Sequence, residues 1–185
     1  MILQPRHQPM TADEFLLVDN KGFELVDGRM QEKNMGAFSS SAAVWIFSLL
    51  LSRFDWRLHG EFLDSEGGYQ CWPKNPRRVR KPDISFIRRE RIPGGKIIES
   101  WLRVAPDFVI EVMSKNDTLR EVEEKIEEYL EVGVPWIWVV DPKRREVRVY
   151  RPNASPQLLN NSDELRDDAV LPGFRCTAEE LFAPE

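Results

Sequence analysis

Two carboxylates in apolar, strand-like segments are the residues of this sequence that most directly indicate chemistry. Glu111 lies inside the run PDFVIEVM at residues 106–113, and Asp83 lies in KPDISFI at residues 81–87. An ionised carboxylate in a buried strand is costly unless a cation or a hydrogen-bond donor compensates it. Two converging carboxylates repel each other, and a shared hard cation such as Mg²⁺ turns that repulsion into binding. The pair therefore predicts a metal site.

A lysine close to such a site would orient the attacking water or stabilise the charge that builds on a phosphate. Met113, not lysine, stands two residues after Glu111, and Lys115 follows just beyond the predicted strand end. Lys125 lies on the next predicted helix, at the flank of its apolar face, where a long stem can carry the ammonium to the strand ends. Glu123 occupies the other flank, so helix position alone does not single out Lys125.

A second chemical feature is a cluster of cations around Asp83. The protein has a net charge of −5 and a sequence pI near 5.3, which argues mildly against nonspecific coating of nucleic acid. The chain nevertheless has eight cations within residues 74–91: Lys74, Arg77, Arg78, Arg80, Lys81, Arg88, Arg89 and Arg91. They indicate either a solvated loop and strand edge or a rim that attracts phosphate beside an acidic metal site.

The elements that must position these residues alternate along the chain. FELVDGRMQEK predicts a hairpin with an Asp-Gly turn and Glu24 on its first strand. Helices are predicted over 39–58 and 118–132, and strands over 83–88, 107–113, 135–141 and 146–151. One crossover helix between two apolar strands is typical of an α/β or α+β fold with a mixed central sheet flanked by helices.

Length and composition predict one cytoplasmic domain over residues 1–185. The chain is 42% hydrophobic, which is enough for a full core. Only Cys71 and Cys176 are present, and two reduced thiols are expected. Residues 1–10 lack the apolar region of a signal peptide, and the longest apolar run, at 42–51, is short for a membrane span.

The ordered motifs resemble one family. RKPDISFIRRERIP, APDFVIEVMSKND, EKIEEYLEVGVPWIWVVDP and LPGFRC are similar to motifs of the Uma family of predicted restriction endonucleases, a divergent branch of the PD-(D/E)XK nuclease superfamily. TADEF and FELVDGRMQEKNMG near the start also resemble it, so the likeness covers nearly the whole chain. The resemblance implies a restriction-endonuclease-like fold and a metal-dependent endonuclease acting on DNA.

The resemblance also implies roles for particular residues. Asp83 corresponds to the acid of the PD motif and Glu111 to the acid of the (D/E)XK motif, both as ligands of Mg²⁺ or Mn²⁺. Met113 departs from the pattern by replacing the usual lysine, and Lys125 matches the place on the following helix to which that lysine can migrate. Glu24 corresponds to an additional acid. A duplex substrate makes a homodimer plausible.

Each assignment has a purely structural alternative. Asp83 would cap a turn, Glu111 would pair with a buried cation, Lys125 would be a helix-surface lysine, and Glu24 would lie in solvent. At the level of function, the alternatives are a catalytically inactive module on the same fold, which binds nucleic acid or protein, and an acid–base pair of a glycosidase. Met113 and the acidic net charge favour the inactive module, whereas the short chain disfavours the glycosidase.

Overall fold

The structure is a computed structural model that describes residues 9–33, 35–115 and 117–184. The α-helices are α1 (Ala12–Leu16), α2 (Ala37–Arg53), α3 (Trp56–His59) and α4 (Leu119–Glu131). The strands are β1 (Phe23–Val26), β2 (Arg29–Glu32), β3 (Gly60–Asp64), β4 (Ile84–Arg88), β5 (Phe108–Val112), β6 (Trp136–Asp141), β7 (Glu146–Tyr150), β8 (Gln157–Leu159), β9 (Glu164–Leu165) and β10 (Cys176–Thr177). Short 3₁₀ turns span Arg89–Arg91, Pro93–Gly95 and Glu179–Leu181.

The central sheet is mixed, as the sequence predicts. Within the described residues it has six strands in the order β3-β4-β5-β6-β7-β8. Strands β5 and β6 are parallel and the other neighbours are antiparallel. Parallel neighbours need a crossover connection, and α4 supplies it. Thr118 begins α4 with a capping box to Glu121, and Gly133, with φ +83°, follows its end. The prediction of an α+β fold with a mixed sheet is confirmed.

Strand β5 is buried on both faces because it separates two cores. Phe108, Ile110 and Val112 belong to the core that includes Ile46 and Leu50 of α2. Val109, on the opposite face, belongs to the core that includes residues of α4: Val122, Ile126 and Tyr129. Successive side chains of a strand alternate between faces, so Glu111 shares the α4 face with Val109.

The hairpin β1–β2 is attached to the segment that leads into β4. Leu25 and Val79 exchange two backbone hydrogen bonds, of 3.0 and 2.8 Å, and both side chains are buried with Phe15 and Trp101. Gly28, with φ +80°, forms the predicted turn after Asp27. This attachment brings the hairpin close to Asp83.

Two sequence predictions were wrong in detail. The helix predicted over 39–58 breaks at Phe54, which is extended (φ −129°, ψ 126°) and buries its ring against Phe62 and Phe86. The free energy gained by burying this ring outweighs the free energy that continuing the helix would provide. Strand β8 lies where the sequence analysis predicted no strand, and its three residues form an edge whose side chains are largely exposed. A strand of three largely exposed residues is too short to show an alternation of buried and exposed side chains in the sequence.

The remaining predictions concern thiols and membranes. Cys71 and Cys176 are free thiols in different cores, in agreement with the sequence. Among the described residues, no helix combines the length and the apolar character that crossing a bilayer requires. Residues 1–8, part of the segment predicted to lack a signal peptide, lie outside the described residues.

Candidate active site

Asp83 and Glu111 face each other across two antiparallel strands. Ile84 of β4 pairs with Ile110 of β5, and the next step of this register sets Asp83 opposite Glu111. The Val112 N–H donates a hydrogen bond of 2.8 Å to Asp83 Oδ2. Directly opposite residues of an antiparallel pair point to the same face, so the two carboxylates converge on the side covered by α4.

Glu111, the penultimate residue of β5, is buried and is held by α4. Its exposed fraction is 6%, and the Tyr129 hydroxyl donates a hydrogen bond of 2.8 Å to Oε1. Burial, together with the nearby negative charge of Asp83, raises the pKa of Glu111 to about 7, although Lys125 opposes this shift. The carboxyl of Glu111 is therefore easily protonated in the absence of a further cation.

Lys125 reaches the acids from the middle of α4. Its Nζ lies 3.5 Å from Glu111 Oε2 and 3.4 Å from Glu24 Oε2. Burial alone would lower the pKa of Lys125, but the carboxylates of Glu111 and Glu24 outweigh burial and raise it. The side chain keeps 21% exposure. Lys125 is therefore a cation between two acids. Among the described residues, its ion pairs are with these acids and not with the helix-surface glutamates.

Glu24 is buried and multiply held, which contradicts a solvated hairpin position. Only 2% of the residue is exposed; Arg80 donates a hydrogen bond of 2.9 Å to Oε2, and the Lys81 N–H donates one of 2.8 Å to Oε1. Burial would raise the pKa of Glu24, but Lys125 and Arg80 outweigh burial and lower it to about 2. Glu24 is thus a permanent anion beside Lys125.

Lys33 and Tyr129 are site residues that the sequence reasoning missed. Lys33 directly follows β2, and its Nζ donates a hydrogen bond of 3.0 Å to Asp83 Oδ1. Burial would lower the pKa of Lys33, but Asp83 and Glu111 outweigh burial and raise it. Strand β2 is exposed along its length, so no pattern distinguished this lysine. Tyr129 had a usable signal, because its hydroxyl lies on a helix face otherwise made of apolar residues.

Most of the cation cluster at residues 74–91 is engaged with acids of the same chain. Arg80 is buried between Glu24 and Glu128. Six of the eight cations form ion pairs among the described residues: Arg78, Arg80, Lys81, Arg88, Arg89 and Arg91. Lys74 and Arg77 are exposed. Of these ion-paired cations, Arg80 supports Glu24 directly. The side chains of Arg88 and Arg89 keep 39% and 42% exposure although both are ion-paired.

The predicted site residues line one cavity. Glu24, Asp83, Glu111 and Lys125 all border it, together with Lys33. No group of three or more His, Cys, Asp or Glu side chains among the described residues has the arrangement of a metal cluster. Two carboxylates with waters and substrate phosphate oxygens are nevertheless a usual way to hold Mg²⁺, and the oxygens of Asp83 and Glu111 suit that hard cation. The donor chemistry of the cavity fits a divalent metal.

Comparisons with known proteins agree with this fold. A family model described as "Uma2: Putative restriction endonuclease" matches residues 12–179. A solved structure from Anabaena variabilis, titled as a putative nuclease belonging to DUF820, is similar with a TM-score of 0.73 and 24% sequence identity. The match covers 94% of this chain and 98% of that one. No curated protein matches the chain. At this identity the solved structure supports the fold alone.

Proposed function

We propose that this chain, which belongs to the Uma2 family, is a metal-dependent endonuclease that hydrolyses phosphodiester bonds in DNA. The observation that carries the proposal is the position of Lys125. Its Nζ lies 3.5 Å from Glu111 Oε2, and both residues border a cavity that Asp83 also borders. Two acids that can hold a metal, and a lysine that can stabilise charge on a phosphate, suit metal-assisted phosphodiester hydrolysis. Asp83 directly precedes β4, Glu111 lies on β5 and Lys125 lies on α4.

Asp83 and Glu111 are the residues that would hold Mg²⁺ or Mn²⁺. When bound, the metal would supply an activated water and offset negative charge on the phosphate. Tyr129 binds Glu111 Oε1 and thereby fixes the orientation of the carboxyl group. The Val112 N–H does the same for Asp83 Oδ2. Both acids are therefore oriented by contacts that are present before any ligand arrives, which is the preorganisation that catalysis needs.

Lys125 acts as a fixed positive charge. Its pKa is raised by Glu111 and Glu24 despite burial, so the ammonium stays protonated at neutral pH. A protonated lysine cannot accept the proton of the attacking water, but it stabilises negative charge on the pentacoordinate phosphorus. Glu24 holds the ammonium at 3.4 Å and is itself held by Arg80. In this account Glu24 positions the lysine, directly or through water.

DNA is the proposed partner because of the family and because the cavity has cations beside the acids. We expect the surface of residues 74–91 to contribute less to binding than its eight cations suggest, because six of them, among the described residues, form ion pairs with acids of this chain. We propose that the chain acts on duplex DNA as a homodimer, because a dimer presents one such site to each strand.

A second candidate is an inactive module that binds nucleic acid or protein on the same fold. Two observations favour it: Met113 occupies the usual lysine position, and both acids already have lysine partners, at 3.0 Å for Asp83 and 3.5 Å for Glu111. A lysine beside each acid offsets part of its negative charge without a metal. The retained convergence of the acids in an accessible cavity favours the enzyme.

Cleavage of supercoiled plasmid DNA in Mg²⁺ or Mn²⁺ distinguishes the two candidates. The enzyme converts plasmid to open-circular or linear forms, loses this activity in EDTA, and loses it in Glu111→Gln at matched folding. Cleavage that survives EDTA or the Glu111→Gln substitution would exclude the metal nuclease. Binding of DNA without cleavage by any folded preparation would favour the inactive module.

A further inference from the structure

Lys33 is a buried lysine in direct contact with one of the two central acids. Its side chain is 8% exposed, and Nζ lies 3.0 Å from Asp83 Oδ1. The same ammonium donates to the Lys81 carbonyl oxygen. The backbone N–H of Lys33 donates to the Gly22 carbonyl oxygen at 2.8 Å, which fixes the end of the hairpin. Hydrogen bonds of both the main chain and the side chain of Lys33 therefore hold its ammonium group beside Asp83.

The two lysines of the cavity compensate different acids. Lys125 forms ion pairs with Glu24 and Glu111, whereas Lys33 pairs with Asp83. Within the part of the chain that the structure describes, the second donor to Asp83 is the neutral Val112 N–H. Asp83 is 6% exposed, so in the metal-free protein its negative charge is balanced chiefly by Lys33.

We infer that Lys33 is a resident counter-ion of Asp83 that competes with a divalent cation for Oδ1 and thereby sets the metal affinity of the site. The inference rests on the proposed metal-binding role of Asp83. A divalent cation needs an oxygen of the carboxylate that Lys33 already binds, and it must approach a positive charge held beside that oxygen. The lysine thus stabilises the metal-free protein and weakens metal binding at the same time.

Mn²⁺ titration by calorimetry tests this role without reference to activity. The proteins are the wild type, Lys33→Met, and Lys33→Gln, which removes the charge but keeps a hydrogen-bond donor. Lys21→Met, at an exposed position before β1, is the matched control. We expect both Lys33 variants to bind Mn²⁺ about tenfold more tightly than the wild type, and Lys21→Met to bind as the wild type does.

Thermal unfolding tests the counter-ion role of Lys33 independently of calorimetry. Without metal, Lys33→Met unfolds at a lower temperature than the wild type because Asp83 loses its counter-ion. Saturating Mn²⁺ raises the unfolding temperature of Lys33→Met by more than it raises that of the wild type. Lys33→Gln serves the same comparison if the Met variant does not fold.

The outcomes separate this inference from the proposed function. Equal or weaker Mn²⁺ binding by the Lys33 variants, with binding by the wild type, would overturn the counter-ion role alone and leave Lys33 as a hairpin anchor. Absence of Mn²⁺ binding in all four proteins would overturn the metal site itself, and the inference with it.

Discussion

The hydroxyl of Tyr129 on α4 donates a hydrogen bond of 2.8 Å to Glu111 Oε1 on β5. Both residues are buried, and this contact joins the crossover helix to the only acid of its strand. The opposite oxygen, Oε2, lies 3.5 Å from Lys125 of the same helix. Helix α4 therefore fixes both the direction of the carboxyl group and the cation beside it.

Replacement of Tyr129 by phenylalanine removes this hydrogen bond and leaves a buried acid with one partner fewer. We expect the free energy of unfolding to fall by about 1 to 3 kcal/mol. Plasmid cleavage should fall by about 10- to 100-fold at matched folded fraction, because the oriented carboxyl is lost. Urea denaturation and a cleavage time course measure the two effects. Tyr150→Phe, on β7, is the control; equal losses in both variants would contradict the specific role of Tyr129.

The pH dependence of stability reports on Glu111. Its pKa in the folded protein, about 7, is above the ordinary value of 4.5 because of burial and Asp83. Between these values the folded protein holds a proton that the unfolded chain has released. Stability from this group is thus fully present below pH 4.5 and is lost as the pH rises through about 7. The loss for Glu111 amounts to about 3 kcal/mol.

Glu111→Gln removes this titration and is the comparison that isolates it. In metal-free buffer the variant should gain stability relative to the wild type as the pH rises from 4.5 to above 7. Urea denaturation at several pH values measures this difference in the free energy of unfolding. Glu24 does not interfere in that window, since its lowered pKa of about 2 gives stability that is lost only as the pH falls below 4.5. Parallel profiles for wild type and variant would show that Glu111 ionises normally.

Lys125 should matter for turnover more than any exposed lysine near the site. Lys125→Met removes the cation proposed to stabilise the phosphorane, and we expect cleavage to fall by about 100-fold or more. Lys115→Met changes the exposed lysine just after β5 and should leave cleavage unchanged. Plasmid assays at matched folded fraction decide this. Undiminished cleavage by Lys125→Met, or loss of cleavage by Lys115→Met, would contradict the catalytic role proposed for Lys125.

Arg80 should be a structural residue of the site. It pairs with Glu24 and Glu128 and is almost completely buried, so Arg80→Met removes a buried counter-ion that these two acids share. We expect a loss of about 3 to 5 kcal/mol in the free energy of unfolding. The matched control is Arg120→Met, which removes an exposed ion pair with Glu124 on the surface of α4 and should have little effect. Similar losses in both variants would contradict the role of the buried network.

The sequence was sufficient for the parts of the site that follow from local pattern. Apolar runs interrupted by Asp83 and Glu111 predict two buried strands, and the 28 residues between them allow adjacent pairing. The apolar residues of α4 define one face of the helix, and hence the flank on which Lys125 lies. These relationships depend on the side-chain periods of strands (two residues) and of helices (3.6 residues). Both periods can be read from a single sequence.

The rest depends on contacts between segments that are distant in the chain. Lys33 reaches Asp83 because the hairpin pairs with the Val79 segment, and no local pattern encodes that pairing. The burial of Glu24 and the ion pairs of the cations at 74–91 have the same origin. Charge runs look solvated in a sequence, and only the packing of the hairpin shows that Arg80 and Lys81 are interior.

The location of a bound metal tests the central claim most directly. Crystals grown with Mn²⁺ and measured for anomalous scattering should show a peak about 2.0 to 2.3 Å from a carboxylate oxygen of both Asp83 and Glu111, with Lys125 beside it. The peak should vanish in Glu111→Gln crystals grown in the same way. A fully occupied peak elsewhere in the chain, or an unchanged peak in Glu111→Gln, would contradict the proposed active site.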